Sequence, residues 1–178
     1  MGKISVSLYL SLDGIMEDPA WTAPYFNDEL AKVQQDLLFA SDVLLLGRIT
    51  YEGFAAAWPS MEDEDGFADK MNAMPKYVAT TTLSEAQWNA QFIKDNVAEE
   101  LRKMKQNTDQ NFLIYGSGQL IRMLMKHNLI DEYNFIINPV VLGKGKRLFT
   151  GDIEDQKLKL AGVKTTRTGV AVMTYHPE

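Results

Sequence analysis

Residues 42–54 read DVLLLGRITYEGF. Val43, Leu44, Leu45 and Leu46 form a short unbroken apolar run, the mark of a strand buried on both faces. Gly47 stops the run, Arg48 follows at once, and a short helix is expected over residues 50–57. A strand buried on both faces needs layers above and below it, so this segment points to a layered α/β architecture. It also sets a guanidinium at the mouth of an apolar strand, either as an exposed surface cation or as an anion clamp.

Two further segments repeat the arrangement. Residues 112–125, FLIYGSGQLIRMLM, give a strand over 112–115, the turn Gly116-Ser117-Gly118, and a helix carrying Leu120, Ile121, Leu124 and Met125. Residues 76–82, KYVATTT, give a strand after Pro75 that ends in three threonines. At the N-terminus, Ile4, Val6, Leu8 and Leu10 alternate with Ser5, Ser7, Tyr9 and Ser11, a period-two strand closed by the turn Asp13-Gly14. Pro19 and Pro24 mark a loop. Asn27 then caps a helix with Leu30, Val33, Leu37 and Leu38 on one stripe, and Val97, Leu101 and Met104 mark a second helix over 97–105. Residues 58–67, WPSMEDEDGF, read as an acidic, solvated loop. Residues 133–138 form a strand stopped by Pro139. Residues 158–175 read as a closing β-hairpin, with Gly162 or residues 167–169 at its turns. Strands alternating with helices, then a hairpin, give an α/β fold with a mixed, mainly parallel sheet and an antiparallel edge.

Composition narrows the function. The 178 residues contain no linker-like stretch, so one domain over 1–178 is expected. A net charge of −6 and a pI near 5.0 argue against nucleic acid as the partner, because phosphate backbones select basic surfaces. There is no cysteine, which excludes disulfides, a thiol nucleophile and a cysteine zinc site. His127 and His176 stand far apart, and no metal is expected. No window approaches a membrane span and the N-terminal alternation is not that of a secretory signal, so the reading is a cytoplasmic protein with no membrane partner. Hydrolase elbows and phosphate-binding lysine loops are absent. Ile121 occupies the position of the third glycine in the dinucleotide fingerprint. What remains is three strand ends suited to anions: Gly116-Ser117-Gly118 opening a helix, Arg48 able to clamp a phosphate, and the hydroxyls of Thr80, Thr81 and Thr82. Ligands of open α/β sheets gather at such carboxyl ends.

Segments 44–54, 76–82 and 112–125 stand in the order and spacing of the dihydrofolate reductase fold. Residues 7–16, SLYLSLDGIM, and 136–145, IINPVVLGKG, resemble the reductase domain of riboflavin biosynthesis and its small stand-alone relatives. The resemblance implies a dihydrofolate reductase-like three-layer fold with about eight strands. It also implies NADPH as cofactor and reduction of a pyrimidine or related heterocycle, as of 5-amino-6-(5-phosphoribosylamino)uracil. By that resemblance Gly47, Arg48 and Thr50 would meet the cofactor phosphates, with Arg48 at the adenosine 2′-phosphate. Thr80, Thr81 and Thr82 would line the adenosine side. Gly116, Ser117, Gly118, Gln119 and Leu120 would hold the diphosphate, with Tyr115 beside them. Leu12, Gly14 and Ile15 would border the nicotinamide. Asp13 would orient a small-molecule substrate, and Trp21 or Tyr115 would cover its ring. The family also implies a homodimer, for which the tail offers Val170, Val172 and Tyr175. Two alternatives stand beside this reading. One is dihydrofolate reductase-type activity, with Asp28 or Glu29 as the pterin carboxylate; the other is a non-catalytic NADPH-binding protein. The deaminase domain that often accompanies the riboflavin reductase is absent from this chain.

Overall fold

A computed structural model describes residues 1–178. Strand β1 (Lys3–Leu10) leads through a 3₁₀ segment at Pro19–Tyr25 to helix α1 (Asp28–Phe39). Strand β2 (Val43–Gly47) runs straight into α2 (Arg48–Ala57), and α3 (Phe67–Ala73) precedes β3 (Lys76–Ala79) and β4 (Ala90–Ile93). Helix α4 (Val97–Asn107), strand β5 (Asn111–Ile114), helix α5 (Gly118–Lys126) and strand β6 (Glu132–Ile137) follow. The chain closes with β7 (Leu158–Thr165) and β8 (Ala171–Pro177). All eight strands form one sheet in the order β4-β3-β2-β5-β1-β6-β8-β7. The first six in that row are parallel, and β8 and β7 are antiparallel. The mixed sheet with an antiparallel end is the one that the alternation of elements implied.

Strand parity builds the two layers. Ile4, Val6, Leu8 and Leu10 of β1 join Val43 and Leu45 of β2 and Phe112 and Ile114 of β5 on one face. Helix α5 covers that face with Leu120, Ile121, Leu124 and Met125. Leu44, Leu46, Leu113 and Val78 point the other way, against Leu38 of α1 and Met71 of α3. Each buried leucine contributes roughly 1.5–3 kcal/mol, so the apolar run of β2 anchors both layers at once. Ser7 and Tyr9 share the face of the second cluster, because they alternate with the core residues of β1.

The structure adds elements that short, weakly periodic stretches concealed. Residues 58–67 are not a plain loop: Trp58–Ser60 is a 3₁₀ turn and Phe67 begins α3. Strand β4, four residues long, pairs with β3 at the sheet edge. The closing turn lies at residues 166–170, whereas Gly162 marks a register shift within β7. Val170 and Val172 face inward and are buried, with Leu30 and Ile136, and Tyr175 packs on Phe135 with ring centroids 6.1 Å apart. They form core and not a free edge, which corrects their assignment to a subunit contact.

Candidate active site

The carboxyl ends of β2 and β5 lie side by side, and each feeds directly into a helix. Gly47 N–H donates to the Gly116 carbonyl at 3.0 Å. A Cβ on Gly47 would stand 2.3 Å from Ser117 Oγ and 2.9 Å from its backbone nitrogen, so no side chain fits there. Gly116, at φ +150°, takes a conformation that other residues rarely adopt, and a Cβ there would reach within 2.7 Å of Thr50 Oγ1. The glycines thus let two helix N-termini meet. Helix α2 starts from Gly47 with no side-chain cap, while Ser117 Oγ caps α5 by accepting from Leu120 N–H at 3.3 Å. Uncapped N–H groups and two positive dipole ends in one place are a geometry suited to an anion. Arg48 stands at its rim and pairs with Glu52 at 2.8 Å.

A cavity of about 1540 Å³ opens from this junction. Gly47, Arg48, Thr50, Thr80, Thr81, Thr82, Tyr115, Ser117, Gly118, Gln119 and Leu120 line it, which brings most of the sequence-derived cofactor set together. Thr80 Oγ1 accepts from the N–H groups of Thr82 and Leu83, both at 3.3 Å, and so shapes its own turn. Gly116 lies buried behind the junction and does not reach the cavity.

Leu12, Asp13, Gly14 and Ile15 do not line the cavity, contrary to expectation. Their turn docks on the loop after β6. Leu12 N–H donates to the Val140 carbonyl at 2.8 Å, the Gly14 carbonyl accepts from Leu148 N–H at 3.2 Å, and Ile15 bridges to Arg147. The Asp13 carboxylate accepts from Ser11 Oγ at 2.6 Å and from the N–H groups of Gly143 at 2.8 Å and Leu142 at 3.2 Å. These bonds, led by that of Ser11, hold its carboxyl down at about 2. Asp13 therefore clamps the 140–148 loop instead of facing a substrate. Through Arg147, whose Nε donates to the Asp13 carbonyl at 3.1 Å and which does line the cavity, it braces the site indirectly. The chain reaches the cavity one step later, at Met16, Glu17 and Asp18.

The other end of the cavity lies under α1 and is built from side chains. Ser7 Oγ donates to Gln34 Oε1 at 3.0 Å. Burial raises the pKa of Tyr9, offset in part by its hydrogen bond with Gln34. The Tyr115 hydroxyl is buried with no hydrogen-bond partner, and its pKa is pushed up by burial and by the neighbouring Tyr9. Phe54 packs edge-on against both Tyr115 and Trp58, at 6.0 and 6.4 Å between ring centroids. Trp21, the alternative ring cover, does not line the cavity; its Nε1 donates to the Glu17 carbonyl. Of the two carboxylates at the start of α1, Asp28 lines the cavity. Glu29 accepts instead from Arg167 N–H and Asn27 Nδ2, at 2.7 and 3.0 Å, and holds the β7–β8 turn. Gln34 and Tyr9 were missed as site residues. The available signal was the polar parity of β1, since a central strand carries Ser7 and Tyr9 on one face only if something polar meets them there.

A central parallel sheet with its site at the carboxyl ends of β2 and β5, and a second chamber under the first long helix, defines the dihydrofolate reductase-like class of fold. A dihydrofolate reductase from Enterococcus faecalis, complexed with NADP(H), superposes with a TM-score of 0.59 at 13% identity, over 99% of this chain and 96% of that one. The chain belongs to the RibD C-terminal domain family, whose model matches residues 2–172. It is 31% identical over 177 residues to the Bacillus subtilis (strain 168) protein YyaP, covering 98% of this chain and 94% of YyaP. A protein from Shewanella sp. PV-4 assigned to riboflavin biosynthesis superposes with a TM-score of 0.81 at 20% identity, over 100% of this chain and 99% of its own. The bifunctional diaminohydroxyphosphoribosylaminopyrimidine deaminase/5-amino-6-(5-phosphoribosylamino)uracil reductase of Thermotoga maritima gives 0.70 at 16% identity. That match covers 99% of this chain and 57% of the Thermotoga chain. No helix here is long and apolar enough to cross a membrane.

Proposed function

We propose that the chain is an NADPH-dependent reductase of a pyrimidine or related heterocycle, acting through one domain. The meeting of two helix N-termini at Gly47 and Ser117 carries this reading. A diphosphate needs main-chain N–H donors and room to approach, and the cradle that a Cβ at Gly47 would fill supplies both. Arg48 at the rim suits the extra phosphate that distinguishes NADPH from NADH, and Thr80, Thr81 and Thr82 border the space beyond it. Bound there, the cofactor supplies a hydride to an electrophilic carbon of the substrate. The protein's part is to orient the two rings and to exclude water, for which Phe54, Trp58 and Tyr115 provide the walls. The neighbours from Enterococcus and Thermotoga, one complexed with NADP(H) and one a pyrimidine reductase, support the same reading.

Dihydrofolate reduction is the second reading. Asp28 favours it, as the carboxylate of α1 that lines the cavity. The polar residue that α1 buries, between Leu30 and Leu38, is however an amide, Gln34, and not an acid.

The experiment is a paired titration of NADPH and NADH, followed by Trp fluorescence. NADPH is expected to bind more tightly. Arg48→Ala weakens NADPH by about ten- to 150-fold, the worth of one charge-assisted hydrogen bond, and leaves NADH nearly unchanged. Equal losses for both cofactors remove the assignment. NADPH bound tightly but never oxidised, with a heterocycle or dihydrofolate present, converts the reading to a non-catalytic binding protein. We further propose a homodimer. Strand β7 is the outer strand of the sheet, and it exposes Leu160 and Val163. Light scattering that returns only the monomer mass at micromolar concentration rejects it.

A further inference from the structure

The cavity changes character along its length. Toward the helix junction its ionised groups include Arg48, Lys94 and Arg122. Under α1, the polar groups of the lining are neutral: Ser7, Tyr9, Gln34 and Tyr115, beside the packed rings of Phe54 and Trp58. The ionised groups at the mouth of that chamber are acids. Asp28 comes from the first turn of α1, and Asp63 and Asp65 come from the segment before α3. That segment is tied to α1, because Gln35 Nε2 donates to the Asp65 carbonyl at 3.1 Å. Lys32, the cation on the same side, is paired with Asp36. The Tyr115 hydroxyl is the independent sign that a ligand belongs here. The Tyr115 side chain lines the cavity, and its hydroxyl is deeply buried behind that wall with no partner in the protein. A buried hydroxyl without a partner is costly and is seldom left so unless something else meets it.

We infer that the chamber under α1 takes an uncharged or cationic aromatic heterocycle that carries no phosphate. A ring carbonyl or nitrogen accepts from Tyr115, and the acids at the mouth turn phosphorylated compounds away. The inference rests on the reductase reading for the other end of the cavity. Its physical basis is simple. A ring laid against Phe54 and Trp58 leaves its substituent pointing to the mouth, where a phosphate dianion meets Asp28, Asp63 and Asp65, and the one nearby cation, Lys32, is already paired with Asp36. All three acids are exposed, so each repulsion is partly screened by water and the discrimination comes from their number. An uncharged ribosyl or alkyl substituent meets no such opposition, and a cationic one is drawn in.

The probes are 5-amino-6-(5-phosphoribosylamino)uracil and the same compound without its phosphate. Both are titrated by calorimetry into the cofactor-free protein and into protein saturated with NADP⁺. The dephosphorylated compound is expected to bind about tenfold more tightly, the combined scale of three water-screened like-charge pairs. The variant Asp28→Asn/Asp63→Asn/Asp65→Asn should tighten the phosphorylated compound by about the same factor and so close the gap. The Asp63→Asn change keeps a side-chain oxygen for the Ala68 N–H, from which Asp63 accepts at 2.8 Å, and a thermal melt checks that the variant folds. Tyr115→Phe weakens both compounds alike. Tighter binding of the phosphorylated compound, a gap that survives the triple substitution, or no binding of either compound overturns the inference. Failure of NADP⁺ to bind defeats the cofactor reading instead. The cofactor-free titrations still report the discrimination against phosphate.

Discussion

At the helix junction the cavity presents main chain, and under α1 it presents side chains. Gly47 and Gly118 strip one end down to backbone, and Gly116 behind them lets the strand ends approach, so two helices can aim N–H groups at a common point. The other end gathers Ser7, Tyr9, Gln34, Phe54 and Tyr115 from separate strands, helices and a strand end. On the proposed reading, a backbone site recognises what every dinucleotide shares, and Arg48 at the rim adds the specificity. A side-chain site can be altered residue by residue without disturbing the fold. The difference explains how one scaffold can keep its cofactor end while its ring end changes.

The harshest way to break this contrast is Gly47→Ala. The new methyl collides with Ser117, including its backbone nitrogen, and forces the two helix ends apart. Stability should fall by about 2–3 kcal/mol, as for overpacked sites, and NADPH affinity by about a hundredfold. Urea denaturation and cofactor titration measure the two losses. An unchanged NADPH affinity contradicts the backbone site.

Lys76 tests what an unpaired buried charge costs where no ligand is involved. It sits in β3, the strand that delivers Thr80, with its Nζ 3.1 Å from the Asn72 carbonyl and 3.9 Å from the Trp88 ring centroid. Burial pulls its pKa down to about 8. The unfolded chain therefore holds the proton more tightly than the folded one. Stability is expected to rise with pH between about 8 and 10.5. Lys76→Met should abolish that rise and stabilise the protein at neutral pH by on the order of 2 kcal/mol. Denaturation midpoints across about pH 7 to 10.5 decide it, and identical slopes for both proteins contradict it.

Tyr115→Phe sharpens the contrast at the ring end. Removing a buried hydroxyl that lacks a partner should stabilise the ligand-free protein by about 1 kcal/mol while turnover falls. A residue that is merely structural would lose both together. Melting temperature and NADPH oxidation rates, measured side by side, separate the cases.

Asp13→Asn has the smallest expected effect. Its carboxylate braces the loop and Arg147 from outside the cavity, so turnover should drop by only about two- to fivefold, the scale of a displaced positioning contact, with NADPH affinity intact. The contribution of the carboxylate is present above pH 3.8 and lost as pH falls toward 2. A loss of turnover of several hundredfold would return Asp13 to the substrate.

The junction of the two helix N-termini was legible in the sequence because each half of it is local. Gly47-Arg48 ends an apolar strand and Gly116-Ser117-Gly118 opens an amphipathic helix, and in each case neighbours in sequence are neighbours in space. The period-two pattern of β1 likewise determined which of its residues enter the core. Locality failed elsewhere. The partners of Asp13 lie 129 and 130 residues away, so an acid in an Asp-Gly turn looked free when its bonds were already taken. Val170 and Val172 alternate as any half-buried strand does, and only the register of β8 against β6 turned them inward. Helix α3 and strand β4, seven and four residues long, are too short for periodicity to reveal. By itself the sequence determined the sheet's central strands, their helices and the anion-binding turns, because those follow from hydrogen bonding and apolar spacing within a few residues. Only the tertiary structure decided that Ser7, Gln34 and Tyr115 share one chamber, since no local force relates a strand, a helix and a distant strand end. Packing the layers against a common sheet does.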